Sequence, residues 1–472
     1  MKQKPVRRVF RDEEQARARY RSEKGESQRA LGEERGHDDD RRAKHGVTAM
    51  TKERGDHRYE RRLASLRPLT WLRRCLGVVA AAALATALAG ATSPAPAQTG
   101  TTDADLLWSF VKHHYAYLDA KQTDWDAAGR YYRAKYASAG GDRARFGVLE
   151  AMLDELYDAH SHLDSNYADS WRLPAFSVWA QPRDGRIVVT DVRPGTALEP
   201  LLGSEILAID GRPPSAAIAA RLPRFLRHPD PAATQWALLS ALSGRHDTPV
   251  RITIRDGSGV RDVQIAAAGN PSGPSQPVTS RRVENDVGVI GITSFGDAST
   301  VAAFDKALAG FHDTKSLVID VRENSGGDTD VTLPIMGRFL TRRKQYAWMA
   351  RREGKSLGPR WPEFIDPRGP WTYRGKVVVL VDRWTESVAE GFAMGLQETR
   401  GAIVVGTPMA GLGAAVLKTH LPQNDVDVQI SAEPVYSLDG RPRSVFQPTI
   451  PIDLTQARGV DPIFAAGLAA AR

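Results

Sequence analysis

The sequence predicts an α/β fold behind a helical segment and a β-rich module, and three observations carry that expectation. From about residue 283 to the end, apolar runs at 287–292, 317–321, 377–381 and 403–405 alternate with helical patterns at 301–309 and 388–398. Continuous apolar strands of this kind belong to a sheet covered on both faces. Ahead of them, Leu106, Leu107, Phe110 and Val111, and later Val148, Leu149, Met152, Leu153 and Leu156, recur at three-and-four spacing from residue 102 to about 162, the period of amphipathic helices. Between the two regions, short runs at 186–190, 205–209 and 250–254 are punctuated by Arg193-Pro194-Gly195 and Asp210-Gly211, as expected of strands and tight turns.

The order "VVTDVRPGTA…GSEILAIDGRPP" resembles a PDZ domain, with a helical insertion over 221–244. Such modules take peptide C-termini as an added strand. The predicted organisation is then a charged extension over 1–74, a leader over 75–97, a helical domain over 102–165, a PDZ-like domain over 175–267 and an α/β core over 283–472.

Composition narrows the function. The chain has 472 residues, 42% of them hydrophobic and 25% charged, enough apolar material for several cores. Its net charge of +8 is concentrated at the front: residues 1–74 sum to about +9, leaving about −1 for the rest. A nucleic-acid partner is therefore not expected of the folded part. Arg73-Arg74, the apolar stretch 76–91 and Ala95-Pro96-Ala97 read as the three regions of a secretory leader. Cleavage near Gln98 and a periplasmic or secreted protein follow, with Met50 a plausible start and membrane contact only through an uncleaved leader. The one cysteine, Cys75, lies in that leader, which excludes thiol chemistry and disulfides from the mature chain. No pattern with metal-ligand spacing occurs, and no cofactor is expected.

Two loops of the α/β region carry chemistry. Glu323-Asn324-Ser325-Gly326-Gly327 follows the 317–321 strand, and adjacent glycines let backbone N–H groups turn into a pocket. Asp382-Arg383-Trp384-Thr385-Glu386-Ser387-Val388 follows the 377–381 strand, so Ser387 stands at a helix N-terminus beside the free N–H of Val388. Acyl-transfer enzymes hold an oxyanion in this way. The plain alternative is a capping box, because Ser387 and Glu390 form the S-x-x-E pattern. A serine nucleophile needs a base, and His160 and His162 cluster in the loop that leaves the helical segment.

Four blocks, "LYDAHSHL", "LVIDVRENSGG", "VVVLVDRWTESVAEGFAMGLQ" and "IVVGTPMAG", together resemble the tail-specific, or C-terminal-processing, proteases of peptidase family S41, in the order that family uses. The resemblance implies a core of the ClpP/crotonase type, Ser387 as nucleophile, and Val388 with Gly326 or Gly327 as the oxyanion hole. It also separates two branches. The processing proteases place a lysine base where this chain has Leu412, whereas Asp158-Ala159-His160-Ser161-His162-Leu163 is similar to the block of the tricorn-core and interphotoreceptor-retinoid-binding-protein-like branch, with His160 as base and His162 the alternative. That branch completes its relay with a glutamate near the C-terminus, absent from Arg443-Ser444-Val445-Phe446-Gln447-Pro448, which leaves Glu433 as the candidate orienting group. The implied function is an exported serine endopeptidase acting near the C-termini of peptides or unfolded proteins. The alternatives are an inactive peptide- or apolar-ligand-binding protein on the same fold, and an acyl-CoA enzyme of the crotonase type.

Overall fold

The computed structural model describes residues 100–174, 177–194, 196–265, 276–283, 286–457 and 459–472. The expected leader and charged extension lie outside the described residues. The α/β core is a six-stranded sheet in the order Ile450–Pro451, Ile403–Gly406, Lys376–Val381, Ser316–Asp320, Val287–Ile292, Val278–Val283. All neighbours are parallel except the last pair, so the sheet begins at Val278, ahead of the expected boundary at 283.

Alternating side chains divide this sheet into two packed faces. Leu317, Ile319, Val377, Val379 and Val381 meet Phe304, Ile335 and Phe392 from the helices Ser299–Ala309, Thr329–Met336 and Val388–Arg400. Val318, Val378, Leu380 and Val405 meet Ile463 and Ala471 of the helix Pro462–Ala471. Removal of both faces from water holds the strand ends, and the loops that leave them, in a fixed frame.

A second sheet carries the histidine loop. The long strand Val426–Tyr436 pairs with His162–Leu163, with Ala414–Leu421 and with Lys344–Met349, which in turn pairs with Trp361–Ile365. The helices Asp103–His114, Trp125–Ser138 and Asp142–Asp154 bury Leu107, Val111, Tyr136, Leu149 and Met152 in one core with Leu421, Val428 and Ile430 of that hairpin. The helical segment therefore shares its core with the C-terminal part of the chain.

The β-rich module is a five-stranded meander of Val178–Arg183, Arg186–Val192, Glu205–Ile209, Val250–Asp256 and Gly259–Ile265. Within the expected insertion runs the helix Pro231–Ser243, capped by Asp230, whose side chain accepts the Ala232 N–H at 2.8 Å. Two ion pairs join this module to the nucleophile region: Asp191 to Arg383 at 3.4 Å and Arg193 to Glu323 at 3.6 Å. The Arg383 guanidinium also lies 4.3 Å from the ring centroid of Trp179.

Candidate active site

Ser387 occupies the turn between the Lys376–Val381 strand and the Val388–Arg400 helix with φ 54° and ψ −120°. A left-handed φ costs a non-glycine residue about 1–3 kcal/mol and persists only where the surroundings enforce it. The enforcement is visible. Thr385 Oγ1 donates to Val321 O at 2.9 Å, the Glu386 N–H donates to Asn324 O at 2.9 Å, and the Glu323 N–H donates to Asp382 Oδ1 at 3.0 Å. The two loops singled out in the sequence are stapled together at the end of the sheet.

The glycine loop approaches the serine closely. A Cβ on Gly326, whose φ is +95°, would stand 2.9 Å from Ser387 Cβ, 3.0 Å from Glu386 O and 3.4 Å from Val388 N. Ser387, Val388 and Gly326 are thus brought into contact. The Gly326 N–H, however, donates to Asn324 Oδ1 at 2.9 Å. The N–H groups of Val388 and Gly327 make no hydrogen bond among the described residues. Val388 is the first residue of its helix, where the orphan N–H groups carry the positive end of the dipole.

Glu390 departs from simple capping. Its Oε1 accepts the Ser387 N–H at 3.1 Å, the reciprocal half of a capping box. The same carboxylate also accepts the Leu412 N–H at 2.7 Å and the Gly411 N–H at 3.2 Å. It is fully buried, and burial pushes its pKa up to about 7 against the pull of Arg443 and these donors. Glu386 and Asp382 are also raised to about 7, again by burial first. Asp382 Oδ2 has no partner among the described residues, consistent with a carboxyl that prefers its proton.

His160 is buried, 7% exposed, at the exit of the Asp142–Asp154 helix. The loop is shaped by Asp158, whose Oδ1 accepts the His160 N–H at 3.0 Å and whose Oδ2 accepts the Ser161 hydroxyl at 2.9 Å. Burial lowers the His160 pKa to about 4; the Asp158 charge opposes this and the Arg443 charge adds to it. The ordinary imidazole value of ~6.5 expected of an exposed base therefore does not apply here. Among the described residues His160 Nδ1 has no partner, and no hydrogen bond joins His160 to Ser387. The two are linked indirectly through residues 411–414: Glu390 bonds one end of that segment, and the backbone of Ala414 lies at the His160 ring.

His162 and Glu433 have different surroundings. His162 Nδ1 bonds its neighbour's carbonyl, Leu163 O, at 2.8 Å. The ring lines a cavity of about 290 Å³ with Trp171 and Trp236, a cavity to which neither His160 nor Ser387 contributes. Glu433 is ion-paired with Arg351, and the carboxylate whose charge acts on His160 is Asp158. Two residues were missed in the sequence. The S-x-x-E pattern marks Glu390 as a cap and carries no sign of its bonds to Gly411 and Leu412. Arg443, buried in the short 3-10 turn Arg443–Val445, has no sequence signal of its own.

Comparison with known proteins agrees with this geometry. Residues 286–452 match peptidase family S41. The tail-specific protease of Haemophilus influenzae is 25% identical over 219 residues, covering 45% of this chain and 29% of that relative; the match thus spans less than a third of the relative's length. The crystal structure of mature CPAF superposes with a TM-score of 0.53 at 16% identity, covering 78% of this chain and 94% of that one. Mature CPAF complexed with lactacystin gives 0.53 at 17% identity, covering 78% and 95%. At such identities the two structures speak for the fold. The paired glycine and serine loops both lie within the segment 286–452 that matches peptidase family S41.

Proposed function

We propose that this chain is an exported serine endopeptidase that cleaves near the C-termini of polypeptides, with Ser387 as nucleophile, His160 as base, and Val388 and Gly327 N–H groups as oxyanion hole. The observation that carries the reading is the strained Ser387 elbow, set at a helix N-terminus with the unengaged Val388 N–H next to it and the Gly326-Gly327 loop packed against it. Ser387 Oγ attacks the peptide carbonyl carbon and its proton passes to His160. The tetrahedral oxyanion is held by the two N–H groups, worth about 10²–10³ in rate for each good donor. The C–N bond then breaks as the imidazolium returns the proton to the leaving amine, and water hydrolyses the acyl-enzyme through the same base. Burial and Arg443 keep His160 neutral at pH 7, the form that accepts a proton. The PDZ-like module would offer a sheet edge to an unfolded tail, and the 75–97 leader would direct export.

A second reading, a non-catalytic peptide-binding protein on the same fold, is favoured by the Arg443 cation acting on His160 and by the lack of a His160–Ser387 hydrogen bond. Labelling by a fluorophosphonate separates the two. Ser387 of the wild type should react, Ser387→Ala should not, and His160→Ala should slow the reaction by about 10²- to 10⁴-fold. His162→Ala should cost much less. A wild type inert to the reagent and to unfolded peptides would leave the binding reading.

A further inference from the structure

We propose that Glu390 and Arg443 are positioning residues that clamp the backbone of residues 411–414 from opposite sides and thereby set the Ser387 elbow against the His160 loop. This rests on the Ser387–His160 reading above. A glutamate that only capped a helix would need the N–H at its own N-cap. Glu390 takes that one and two more from a loop far along the chain, Gly411 and Leu412.

Arg443 holds the same strap through its carbonyls. Its Nη2 donates to Leu412 O and to Ala414 O, the latter at 3.3 Å. Leu412 is thus fixed by its N–H on one side and its C=O on the other. The clamp is closed by charge, since the Arg443 cation acts on the Glu390 carboxylate and opposes its protonation. Glu386 and Tyr117 also face this carboxylate electrostatically.

From the clamp the path runs to the histidine by named bonds. Ala414 opens the strand Ala414–Leu421, which pairs antiparallel with Val426–Tyr436, with a shift of register after Ala415. That strand pairs His162 with Gln429, and Gln429 Nε2 donates to His160 O at 3.1 Å. Glu390 is fully buried and Arg443 is 5% exposed. Neither side chain is available to substrate; beside the strap, Glu390 reaches the site through the Ser387 N–H and Arg443 through its charge on His160, which Arg443→Lys retains. A misplacement of about 1 Å between reacting groups can cost about 10²-fold, and a two-sided clamp on a loop without regular structure is a device against such drift.

The test uses the full chain, with three readouts: the rate of Ser387 labelling by a fluorophosphonate, kcat and KM on an unfolded peptide, and the melting temperature. Glu390→Gln keeps the size but turns an amide NH2 toward one of the donors. Arg443→Lys keeps the charge but loses the two-carbonyl fork. Each should lower labelling and kcat by about 10- to 10²-fold at temperatures where the variant is folded, with KM unchanged. The double variant should cost less than the product of the single losses, because both act on one strap. Folded Glu390→Gln and Arg443→Lys that label at the wild-type rate would overturn the inference while leaving the Ser387 reading intact. A wild type that is not labelled would overturn both. If Glu390→Gln does not fold, Arg443→Lys decides on the same readouts.

Discussion

Replacing Gly326 by alanine tests the closeness of the glycine loop to the nucleophile. The added methyl would meet Ser387 Cβ at 2.9 Å and Glu386 O at 3.0 Å, nearer than the ~3.5–4.0 Å at which carbon contacts are favourable. Neither neighbour can swing aside, because one is backbone and the other is the Cβ of a residue held at φ 54°. The substitution also places a side chain at φ +95°, a strain of about 1–3 kcal/mol. Together with overpacking this should destabilise the chain by about 2–4 kcal/mol, a fall in melting temperature of roughly 3–5 °C for a chain of this size. Any relief moves the loop away from Val388 N, so labelling of Ser387 should fall by about 10²-fold or more, the scale of a lost oxyanion donor. Gly310→Ala is the control. Gly310 caps its helix at φ −72° and its added Cβ would find only Ala307 O, at 3.4 Å. A folded Gly326→Ala that labels as fast as the wild type would show that this loop takes no part in the site.

Two further outcomes follow from the titrating groups. In NMR titration His160 should remain neutral to well below its usual range: with a pKa of about 4, less than about a tenth is protonated at pH 5.5, against about nine-tenths at the ordinary ~6.5. A midpoint near 6.5 would mean that the ring is neither buried nor under the influence of Arg443. Stability should also rise as pH falls from 8.5 to 6.5. Asp382, Glu386 and Glu390 have folded-state pKa values raised to about 7, so the stability they confer is fully present below their unfolded values and is lost as pH rises through 7. Below 6.5 the lowered pKa of His160 works the other way. Scanning calorimetry should therefore show a higher melting temperature at pH 6.5 than at 8.5, and Glu390→Gln should shrink the difference; a flat profile would sink the assignment.

Much of the framework was legible because it obeys local rules. The strands Val287–Ile292 and Glu205–Ile209 and the start of the Val388–Arg400 helix fall where apolar runs and turn residues put them. The Val278–Val283 strand was not legible: its four central residues are exposed, so it has no apolar period, and pairing with Val287–Ile292 alone makes it a strand. Val426–Tyr436 was lost for the opposite reason. Different parts of it serve different partners, so its burial alternates only at the start, and it contains Pro434. In the site, Ser387 and the glycines sit on strand ends that sequence patterns reveal, while the depressed basicity of His160 and the role of Arg443 arise from burial and from contacts across the chain. Leu412 contributes its backbone, through the Glu390 and Arg443 bonds, and a side-chain alphabet carries no mark for that.

The pairing of His162 with Gln429 has a consequence for synthesis. Ribosomes release the histidine loop well before the Val426–Tyr436 strand, and the domains of a nascent chain fold in the order in which they emerge. Until that strand arrives, the His160 carbonyl lacks its Gln429 donor and the helices lack Val428 and Ile430, part of the apolar surface they pack on. The proposed base is thus made before its cradle exists. The Ser387 elbow also leaves the ribosome before that strand, so both proposed catalytic groups wait on it, and the site is complete only once the strand has been made.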